Sequence, residues 1–499
     1  MPWFRLMTLR LLLTFAGICI LAGCSSTAAA RATSVHNRPH SEVAALPRLS
    51  APNRELTLQA DEIVSVSHME LSQSASMDGP DPDDPFRESE SLSLDLLIAE
   101  VQARNPSLAA VQAAWGAAAQ KYPQAVALED PIFQSMYAPQ SFTSNSNVQS
   151  SYYLGIAQKI PWAGKRGLRG QQANWEASAA SHDVGETSLR LAEASRVTFL
   201  DYYLNERLRE LLDSNTRAAE EFRNIANSKY EANQVTQQDV LQADVELAQL
   251  EQRKIELDQE REIAVARLNT LLHRRPDHPL PPPPQTLPQV AELPSASELR
   301  DFAVEQRPEL HALAARIQAE QTAVELACKE FYPDFEFMGR YDRFWTDKEQ
   351  RGQVGMNVNV PLNRSRRHAA VQERQFQVQK MRSELDQATD NIRNEVQAAW
   401  SRVQGGVRTV RIYDTKILPT ANDNLSAARA GYTAGTLDFL RLVEAQRETI
   451  ALREKHQMAI AELHRRWAEL QRAVGGAVSM PPDANAIVVP AETLAIPES

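Results

Sequence analysis

The sequence repeats itself once at an interval of about 200 residues, and this duplication restricts the fold more than any other feature. RNPSLAA, from Arg104, matches QRPELHA about 200 residues later. KYEANQVTQQDVLQADVEL, from Lys229, matches GYTAGTLDFLRLVEAQRET, and GIAQKIPWAGKRGLRG, from Gly155, matches GMNVNVPLNRSRRHAA. Three matches at nearly the same interval predict two structural repeats that are built alike.

Each repeat contains two short segments in which apolar and polar residues alternate. QVGMNVNVPL, from Gln353, alternates valine and methionine with glutamine, glycine and asparagine, and DFEFMGRYDRF, from Asp334, alternates in the same way. A period of two is typical of strands with one apolar and one polar face. We predict strands at about 131–140, 151–160, 334–344 and 353–361, lengths that suit tilted membrane strands.

Four strands are too few to close a membrane barrel, because the smallest such barrels have about eight. An open sheet in lipid leaves backbone groups unpaired, at a cost of several kcal/mol each. A half-buried sheet of a soluble domain would alternate similarly, but these segments stand among helical patterns with no other β pattern to pair with. Two chains would supply eight strands, too few for a passage, whereas three would supply twelve.

Long helices are predicted to make up most of each repeat. The pattern from Lys165 to Glu231 contains no Pro and no Gly-Gly, and corresponds to on the order of 100 Å of helix. A second helix is predicted from Gln237 to Leu272, with apolar residues at seven-residue spacing. The same spacing recurs near the end of the second repeat, which indicates helices that pack as coiled coil.

The basic segments KIPWAGKRG and VNVPLNRSRR are predicted to be the points where a membrane strand ends and a long helix begins. The junction residues are Pro161, Trp162, Lys165, Arg166 and Pro361. Proline ends strand pairing and suits the start of a helix. The tryptophan fits a membrane interface, and the basic residues, with Arg169, are expected in water or near anionic headgroups. A phosphate-binding loop is excluded because Arg166 stands where Ser or Thr is required.

The N-terminus is similar to a bacterial lipoprotein signal. Arg5 and Arg10 precede the apolar run LLLTFAGICIL, which leads into LAGC ending at Cys24. The resemblance implies a signal peptide at 1–23 and lipidation of Cys24, so that several acyl chains anchor the protein. An ordinary signal peptide followed by a chance cysteine is the alternative.

Composition changes along the chain predict the remaining boundaries. Residues 24–92 are rich in Ser, Ala, Asp and Pro without an apolar period, which indicates a disordered linker. The first repeat is predicted at 93–274 and the second at 298–475. A Pro-rich connector at 275–297 separates them, and a loose tail follows at 476–499.

Charge and motif content exclude several classes of function. The formal net charge is -11, and a nucleic-acid-binding protein would carry a basic face. The ten histidines form no His-Glu-x-x-His motif, and neither a Cys-x-x-Cys pair nor a nucleophile elbow is present. We therefore expect no enzymatic activity, no cofactor and no metal site. His456 and His464 are interpreted as surface or packing residues of a helix.

Together, the lipoprotein signal, the two repeats and the predicted closure by three chains resemble the TolC family of bacterial outer-membrane efflux proteins. The resemblance covers about residues 93–475, and the Pro-Trp-Ala-Gly-Lys-Arg junction is most similar to the heavy-metal branch. It implies a mainly α-helical homotrimer with a 12-stranded β-barrel in the outer membrane and an α-helical barrel through the periplasm. It also implies a periplasmic adaptor and an inner-membrane pump, for which the RND type is one option.

The resemblance also assigns a constriction at the far end of the helical barrel, in ANQVTQQDVLQAD and YTAGTLDFLRLVEAQ. The residues carried over are Asp239, Tyr432, Gly435 and Glu444. A carboxylate repeated by threefold symmetry would favour cations. The chain departs from the family at Leu437, Arg441 and Asn233, which stand in place of an arginine, an acidic residue and a glycine. Our hypothesis is that Arg441 pairs with Asp239 or Glu444.

Two other functions stay open at the level of sequence. A lipid-anchored coiled-coil scaffold without a pore would account for Cys24 and the long helices, but not for strand pairs placed alike in both repeats. A type I protein secretion system would use the same kind of outer-membrane channel as an efflux system.

Overall fold

A computed structural model describes residues 85–86, 89–138, 151–288, 293–345 and 347–476. The predicted signal peptide (1–23), Cys24 and nearly all of the predicted linker (24–92) lie outside the described residues. So do residues 289–292 of the predicted connector and, apart from Gly476, the predicted tail (476–499).

Helices dominate the described residues and occur both before and after each strand pair. Their bounds are α1 Leu94–Arg104, α2 Pro106–Ala119, α3 Lys121–Val126, α4 Lys165–Glu231, α5 Gln237–Leu271, α6 Ala296–Gln306, α7 Pro308–Lys329, α8 Arg364–Ile412, α9 Leu418–Thr433 and α10 Phe439–Val474. A π-helical turn, Tyr413–Ile417, joins α8 to α9. The mainly α-helical character predicted from the sequence is confirmed.

The two longest helical patterns appear in the structure almost as the sequence predicts them. Helix α4 begins directly after Gly164, whose φ of 89° lies in the left-handed region, and it continues to Glu231. Helix α5 ends one residue before the predicted Leu272. Since no proline interrupts these patterns, their ends are set by the turn residues that flank them.

The predicted seven-residue stripes are packed against neighbouring helices. In the α5 stripe Leu257 and Ala264 are buried and Leu250 and Leu271 are half-buried. Leu463 and Leu470 of α10 are buried in a cluster that includes residues of α6 and α8. Burying an aliphatic side chain of this size contributes about 1.5–3 kcal/mol. The apolar stripes are therefore core, as the spacing predicts.

The strands are β1 Ile132–Ala138, β2 Ser151–Ile160, β3 Asp334–Asp342 and β4 Gly352–Asn359. Within the described residues they form an antiparallel sheet in the order β1-β2-β3-β4. The two central strands come from different halves of the chain, and Ile160 of β2 pairs with Phe335 of β3. This register places the beginning of β3 beside the residues that lead into α4.

None of the helices in the described part of the chain is both long enough and apolar enough to cross a membrane.

Candidate functional site

One face of the sheet is apolar and exposed on all four strands. Residues paired across antiparallel strands lie on the same face, so the register groups these side chains. This face, called the apolar sheet face, carries Phe133, Tyr137, Tyr152, Leu154, Ile156, Ile160, Phe335, Phe337, Tyr341, Val354, Met356 and Val358, and the register also places the polar Ser135 and Gln158 on it. Val354 is 94% exposed and Phe133 is 69% exposed. A continuous apolar surface of this kind is suited to contact with lipid or with another apolar surface.

The opposite face of the sheet carries most of its polar side chains. Arg340 Nε donates to Gln353 Oε1 at 2.7 Å, and Asn357 Nδ2 donates to Glu336 Oε2 at 3.0 Å. Both bonds join residues that are paired across β3 and β4. This polar sheet face also includes apolar members, among them Met136 and Met338. The sheet is therefore amphipathic, as the period-two pattern predicts.

Both outer strands of the described sheet have an unpaired edge. Strand β1 pairs with β2 and strand β4 pairs with β3, and neither has a second partner among the described residues. An exposed edge presents a row of backbone donors and acceptors that another strand can satisfy. In contact with lipid these groups have to be paired, because no water is available to them.

The sequence-based expectation for Lys165 is wrong, because its side chain is only 1% exposed. Its Nζ lies 2.9 Å from Asp334 Oδ1 and 3.5 Å from Glu330 Oε1. Asp334 Oδ1 also accepts the backbone N–H of Trp162 at 2.9 Å. The β2–β3 register brings this carboxylate to the start of α4, and a buried ammonium needs such a partner. Lys165 therefore joins the two halves of the chain.

The other residues of the first junction are also engaged in contacts within the protein. The Trp162 ring stacks on Tyr332 and Phe335, with centroid distances of 5.2 and 5.8 Å. Arg166 Nε donates to the carbonyl of Val126 at 2.7 Å, and Pro161 is buried. Arg166 and Arg169 are half-buried, so they are only partly open to the solvent that the sequence predicts around them.

The second junction begins its helix differently from the first. Pro361 is half-buried, and Asn363 caps α8 by accepting the backbone N–H of Arg366 at 3.1 Å. Arg367 Nε donates to the carbonyl of Glu330 at 2.7 Å. Both junctions therefore contact the segment between α7 and β3.

Two helix-to-helix turns, α4–α5 and α9–α10, contain the residues assigned by resemblance to a constriction. Asn233 has a φ of 56° and Gly435 a φ of 73°, both in the left-handed region. The backbone N–H of Gln234 donates to Lys229 O, as that of Thr436 donates to Gly431 O. Asn233 can replace glycine here because asparagine tolerates this conformation.

The structure brings Tyr432 and Asp239 into the same neighbourhood. The Tyr432 ring is 3% exposed and lies 5.4 Å from the Phe439 ring. Burial raises the pKa of Tyr432, and the negative charge of Asp239 raises it further. Asp239 lies in the first turn of α5, with its Oδ1 3.4 Å from Thr236 Oγ1. Among the described residues, the Tyr432 hydroxyl has no hydrogen-bond partner.

Sequence reasoning missed Lys229, which connects the two turns. Its Nζ donates to the Tyr432 carbonyl at 2.6 Å and lies 4.0 Å from the centroid of the Tyr432 ring. The only available signal is its position, since Lys229 precedes the residue that corresponds to Tyr432 in the first repeat. An ammonium over an aromatic face contributes about 0.5–2 kcal/mol, depending on how well water is excluded.

Arg441 lies on the exposed side of α10 and pairs with Glu444, not with Asp239. The distance from Arg441 Nη1 to Glu444 Oε2 is 3.1 Å, and the two side chains are 71% and 52% exposed. Leu437 packs beside Gly431 and is partly exposed. The roles of these residues at a constriction stay predictions.

A buried charge network, also missed from the sequence, surrounds the end of α10. Arg307 is 2% exposed and donates to the carbonyl of Arg472 at 3.0 Å. Arg472 Nε lies 2.7 Å from Glu193 Oε2, and both arginines contact Glu395. Burial raises the pKa of Glu186 and of Glu193, although Arg307 and Arg472 oppose these shifts. The network fixes the end of α10 to α4 and α8.

The part of the chain that the structure describes contains no group of three or more His, Cys, Asp or Glu arranged to hold a metal ion.

Residues 299–476 match the model of a family described as outer membrane efflux protein. A search of curated protein sequences finds no match. Among solved structures, the chain is similar to the outer-membrane channel OprN, with 20% identity and a TM-score of 0.66 over 81% of this chain and 99% of that one.

Two further solved structures show the same similarity at lower identity. CusC gives a TM-score of 0.67 at 16% identity, covering 80% of this chain and 99% of that chain. The outer-membrane protein VceC from Vibrio cholerae gives 0.65 at 16% identity, covering 77% and 97%. These likenesses show a shared fold over nearly the whole length of the solved chains.

Proposed function

Because residues 299–476 of this chain match the model of the outer membrane efflux protein family, we propose that the protein is the outer-membrane exit duct of a tripartite efflux system. The family consists of channel proteins and not of enzymes. The observation that carries the proposal is the amphipathic sheet with two unpaired edges, joined directly to helices that extend for on the order of 100 Å.

Three copies of the chain would complete the sheet as a closed barrel. The edge strand β4 of one copy would pair with β1 of the next, and the alternating strand directions make that pairing antiparallel. Twelve strands then leave no open edge, the apolar sheet face contacts lipid, and the polar sheet face lines the passage. The duplication supports this arrangement because each repeat would contribute one strand pair to the barrel.

The long helices would continue the passage through the periplasm as a helical barrel. Its far end is formed by the α4–α5 and α9–α10 turns, with Asp239, Tyr432, Gly435, Arg441 and Glu444. Three symmetry-related copies of Asp239 and of Glu444 would concentrate negative charge and favour cations. Contact between the turns through Lys229 and Tyr432 supports a constriction in which both repeats take part.

Partners and membrane attachment follow from the family and the N-terminal motif. A periplasmic adaptor and an inner-membrane pump would deliver the cargo, and the protein would lie in the outer membrane and extend into the periplasm. Lipidation of Cys24 after removal of residues 1–23 would anchor the chain, with residues 24–92 as a linker. The two repeats, 93–274 and 298–475, would be joined by the connector 275–297, with 476–499 as a tail.

Conductance in planar bilayers tests the proposed duct. We expect discrete, cation-selective steps, together with a folded form whose gel mobility changes on heating. The Asp239→Asn/Glu444→Gln variant should keep the steps and lose part of the selectivity. A lipid-anchored scaffold would give neither steps nor a mobility change, and that result would refute the proposal.

Export by a deletion strain separates efflux from protein secretion. If the protein serves efflux, the deletion should sensitise cells to metal ions or dyes and leave secreted protein unchanged. Loss of a secreted protein with unchanged sensitivity would instead assign the duct to type I secretion.

A further inference from the structure

A cavity of about 670 Å³ lies at the first junction, between the start of α4 and the end of the sheet where Ile160 pairs with Phe335. This volume falls within the range of about 300–1,000 Å³ that is usual for ligand sites. Its lining includes Val126, Ile160, Trp162, Arg166, Gly167 and Phe335. The cavity will be called the junction cavity.

The junction cavity is continuous with the apolar sheet face. Ile160 and Phe335 are paired across β2 and β3, and both belong to that face. Trp162 stacks on Phe335 and adds its ring to the same wall. A hydrocarbon chain that lies on the apolar sheet face near Ile160 and Phe335 could therefore enter the cavity and stay in contact with apolar side chains throughout.

Arg166 supplies the charge at the junction cavity. Its Nε is used by the carbonyl of Val126 at 2.7 Å, which holds the side chain in place. Its guanidinium has no ion-pair partner among the described residues, so its terminal N–H groups can serve a ligand. A guanidinium fixed in this way is suited to binding phosphate oxygens.

Two glycines of α4 near the cavity differ in their surroundings: one is in close contact with α3 and the other is not. A Cβ at Gly170 would lie 2.5 Å from Val126 Cγ1, so close approach of α3 requires that glycine. A Cβ at Gly167 would meet nothing within 4 Å. Glycine in a helix costs about 1 kcal/mol relative to alanine, and here packing does not require it. Gly167 lines the cavity, and a side chain added there would point into open space, so a large one could occupy the cavity.

We propose that the junction cavity binds one phospholipid, with an acyl chain against Trp162, Ile160 and Phe335 and the phosphate on Arg166. The inference rests on the proposed function, which places the apolar sheet face in the membrane. Phospholipid is the occupant that fits because one molecule carries both an apolar chain and a phosphate. The apolar wall and the guanidinium occur together at the level where the sheet meets the helices.

Native mass spectrometry of the full-length protein in detergent micelles tests the site, with phosphatidylglycerol, diacylglycerol and inorganic phosphate as separate probes. The wild-type protein should retain one phosphatidylglycerol per chain and bind it about tenfold more tightly than diacylglycerol, because diacylglycerol lacks the phosphate. Gly167→Leu should lose both lipids, since leucine fills the cavity while favouring the helix.

Arg166→Gln should bind phosphatidylglycerol and diacylglycerol equally, whereas Arg382→Gln, which removes an exposed arginine of α8, should behave as wild type. Retention of phosphatidylglycerol by Gly167→Leu at the wild-type level would overturn the proposal. So would displacement of the lipid by inorganic phosphate alone, which would indicate an anion site without a chain site.

Conductance of the same preparations separates this inference from the proposed function. Gly167→Leu should still form pores, because the substitution leaves both sheet edges unchanged. A wild-type protein that conducts and retains no phospholipid would refute the lipid site and leave the duct intact. A wild-type protein that retains phospholipid but forms no pore would refute the duct.

Discussion

Lys165 holds a positive charge where almost no water reaches it, and its contacts define a test at the scale of one residue. In Lys165→Met the Asp334 carboxylate loses its nearest cation and stays partly buried. Leaving one partner of such a pair uncompensated costs about 3–5 kcal/mol. We expect a marked fall in thermal stability in detergent, measured by tryptophan fluorescence.

Two companion variants make the Lys165 result interpretable. Lys165→Met/Asp334→Asn removes both charges and should recover part of the loss. Lys159→Met breaks an exposed pair, in which Lys159 Nζ lies 3.4 Å from Glu129, and should cost less than about 1 kcal/mol. Equal losses for Lys165→Met and Lys159→Met would contradict the role of the buried pair.

His464 predicts a dependence of stability on pH. Burial lowers its pKa from 6.5 to about 4, so the unfolded chain binds the proton more readily than the folded protein does. The free energy of unfolding therefore falls as the pH falls from 6.5 to about 4, by up to roughly 3 kcal/mol per chain. Melting temperatures of wild type and His464→Gln should converge across this range, with the exposed His368→Gln as control.

The convergence of the melting temperatures has to be specific to His464, whose side chain is half-buried. His368→Gln should lose as much stability on acidification as the wild type does, because it leaves the His464 ring in place. A constant difference between wild type and His464→Gln from pH 7 to pH 4.5 would contradict the prediction. The sequence interprets His464 as a surface or packing residue, and the structure places its side chain half-buried on α10.

Single residues show where prediction from this sequence ends. The basic character of Lys165 suggested solvent, but the strand register places Asp334 beside it. A register that joins residues 169 positions apart cannot be derived from local patterns. Lys229 and Arg307 were missed for the same reason. The partner of Lys229 is Tyr432, in the other half of the chain, and the partner of Arg307 is Arg472, at the end of α10. Asn233, in contrast, was predictable because its backbone conformation is a local property.

At the scale of elements, the two faces of β4 should respond differently to the same charge. Met356 is on the apolar sheet face and 53% exposed, whereas Asn357 faces the other way and contacts Glu336. A lysine facing lipid near the middle of a membrane strand costs about 2–4 kcal/mol. Met356→Lys should lower the amount of folded protein in outer-membrane fractions, and Asn357→Lys should not.

Heat-dependent gel mobility measures that folded amount directly. Asn357→Lys is the matched control because the same side chain is introduced one residue away and can pair with Glu336. If both variants fold equally well, the apolar sheet face does not contact lipid. If Asn357→Lys alone fails, the assignment of the two faces is reversed.

Contact between the α4–α5 turn and the α9–α10 turn gives a second prediction at the scale of elements. Lys229→Met removes both the hydrogen bond to the Tyr432 carbonyl and the charge over the Tyr432 ring. The combined loss is about 2 kcal/mol, which should loosen the α9–α10 turn against α4. Hydrogen exchange at 432–439 should accelerate, and the open time of the pore should lengthen.

Lys254→Met provides the control for Lys229→Met. Lys254 is exposed on α5 and lies 4.0 Å from Asp213, so its removal alters charge without touching Tyr432. Unchanged exchange at 432–439 in Lys229→Met would show that the lysine does not hold the turns together. Equal acceleration in Lys254→Met would show a general effect of charge.

Elements were more predictable than residues because each arises from a local period. An uninterrupted helical pattern fixed α4, and strict alternation fixed β4 to within about two residues of its observed ends. The π-helical turn Tyr413–Ile417 was not predicted, because no period in the sequence distinguishes it from the α-helices on either side. The sheet order was not predicted either, because alternation identifies strands and not their partners.

At the scale of the whole molecule, the open edges of the sheet predict how many copies assemble. Strands β1 and β4 of one chain are three strand spacings apart, or roughly 14 Å. A disulfide requires Cα atoms within about 7 Å. A disulfide between these strands must therefore join two different chains. The number of chains in a closed ring of such disulfides equals the number of copies in the assembly.

Cysteine at Gln134 of β1 should be combined with cysteine at one of the positions on the polar sheet face of β4. The β4 positions to be scanned are Gln353, Gly355, Asn357 and Asn359, in a Cys328→Ser background. One register should yield a covalent ring of three chains on oxidation, seen on non-reducing denaturing gels. A ring of two would leave eight strands around too narrow a passage, and absence of any link in folded protein would mean that β1 and β4 do not meet.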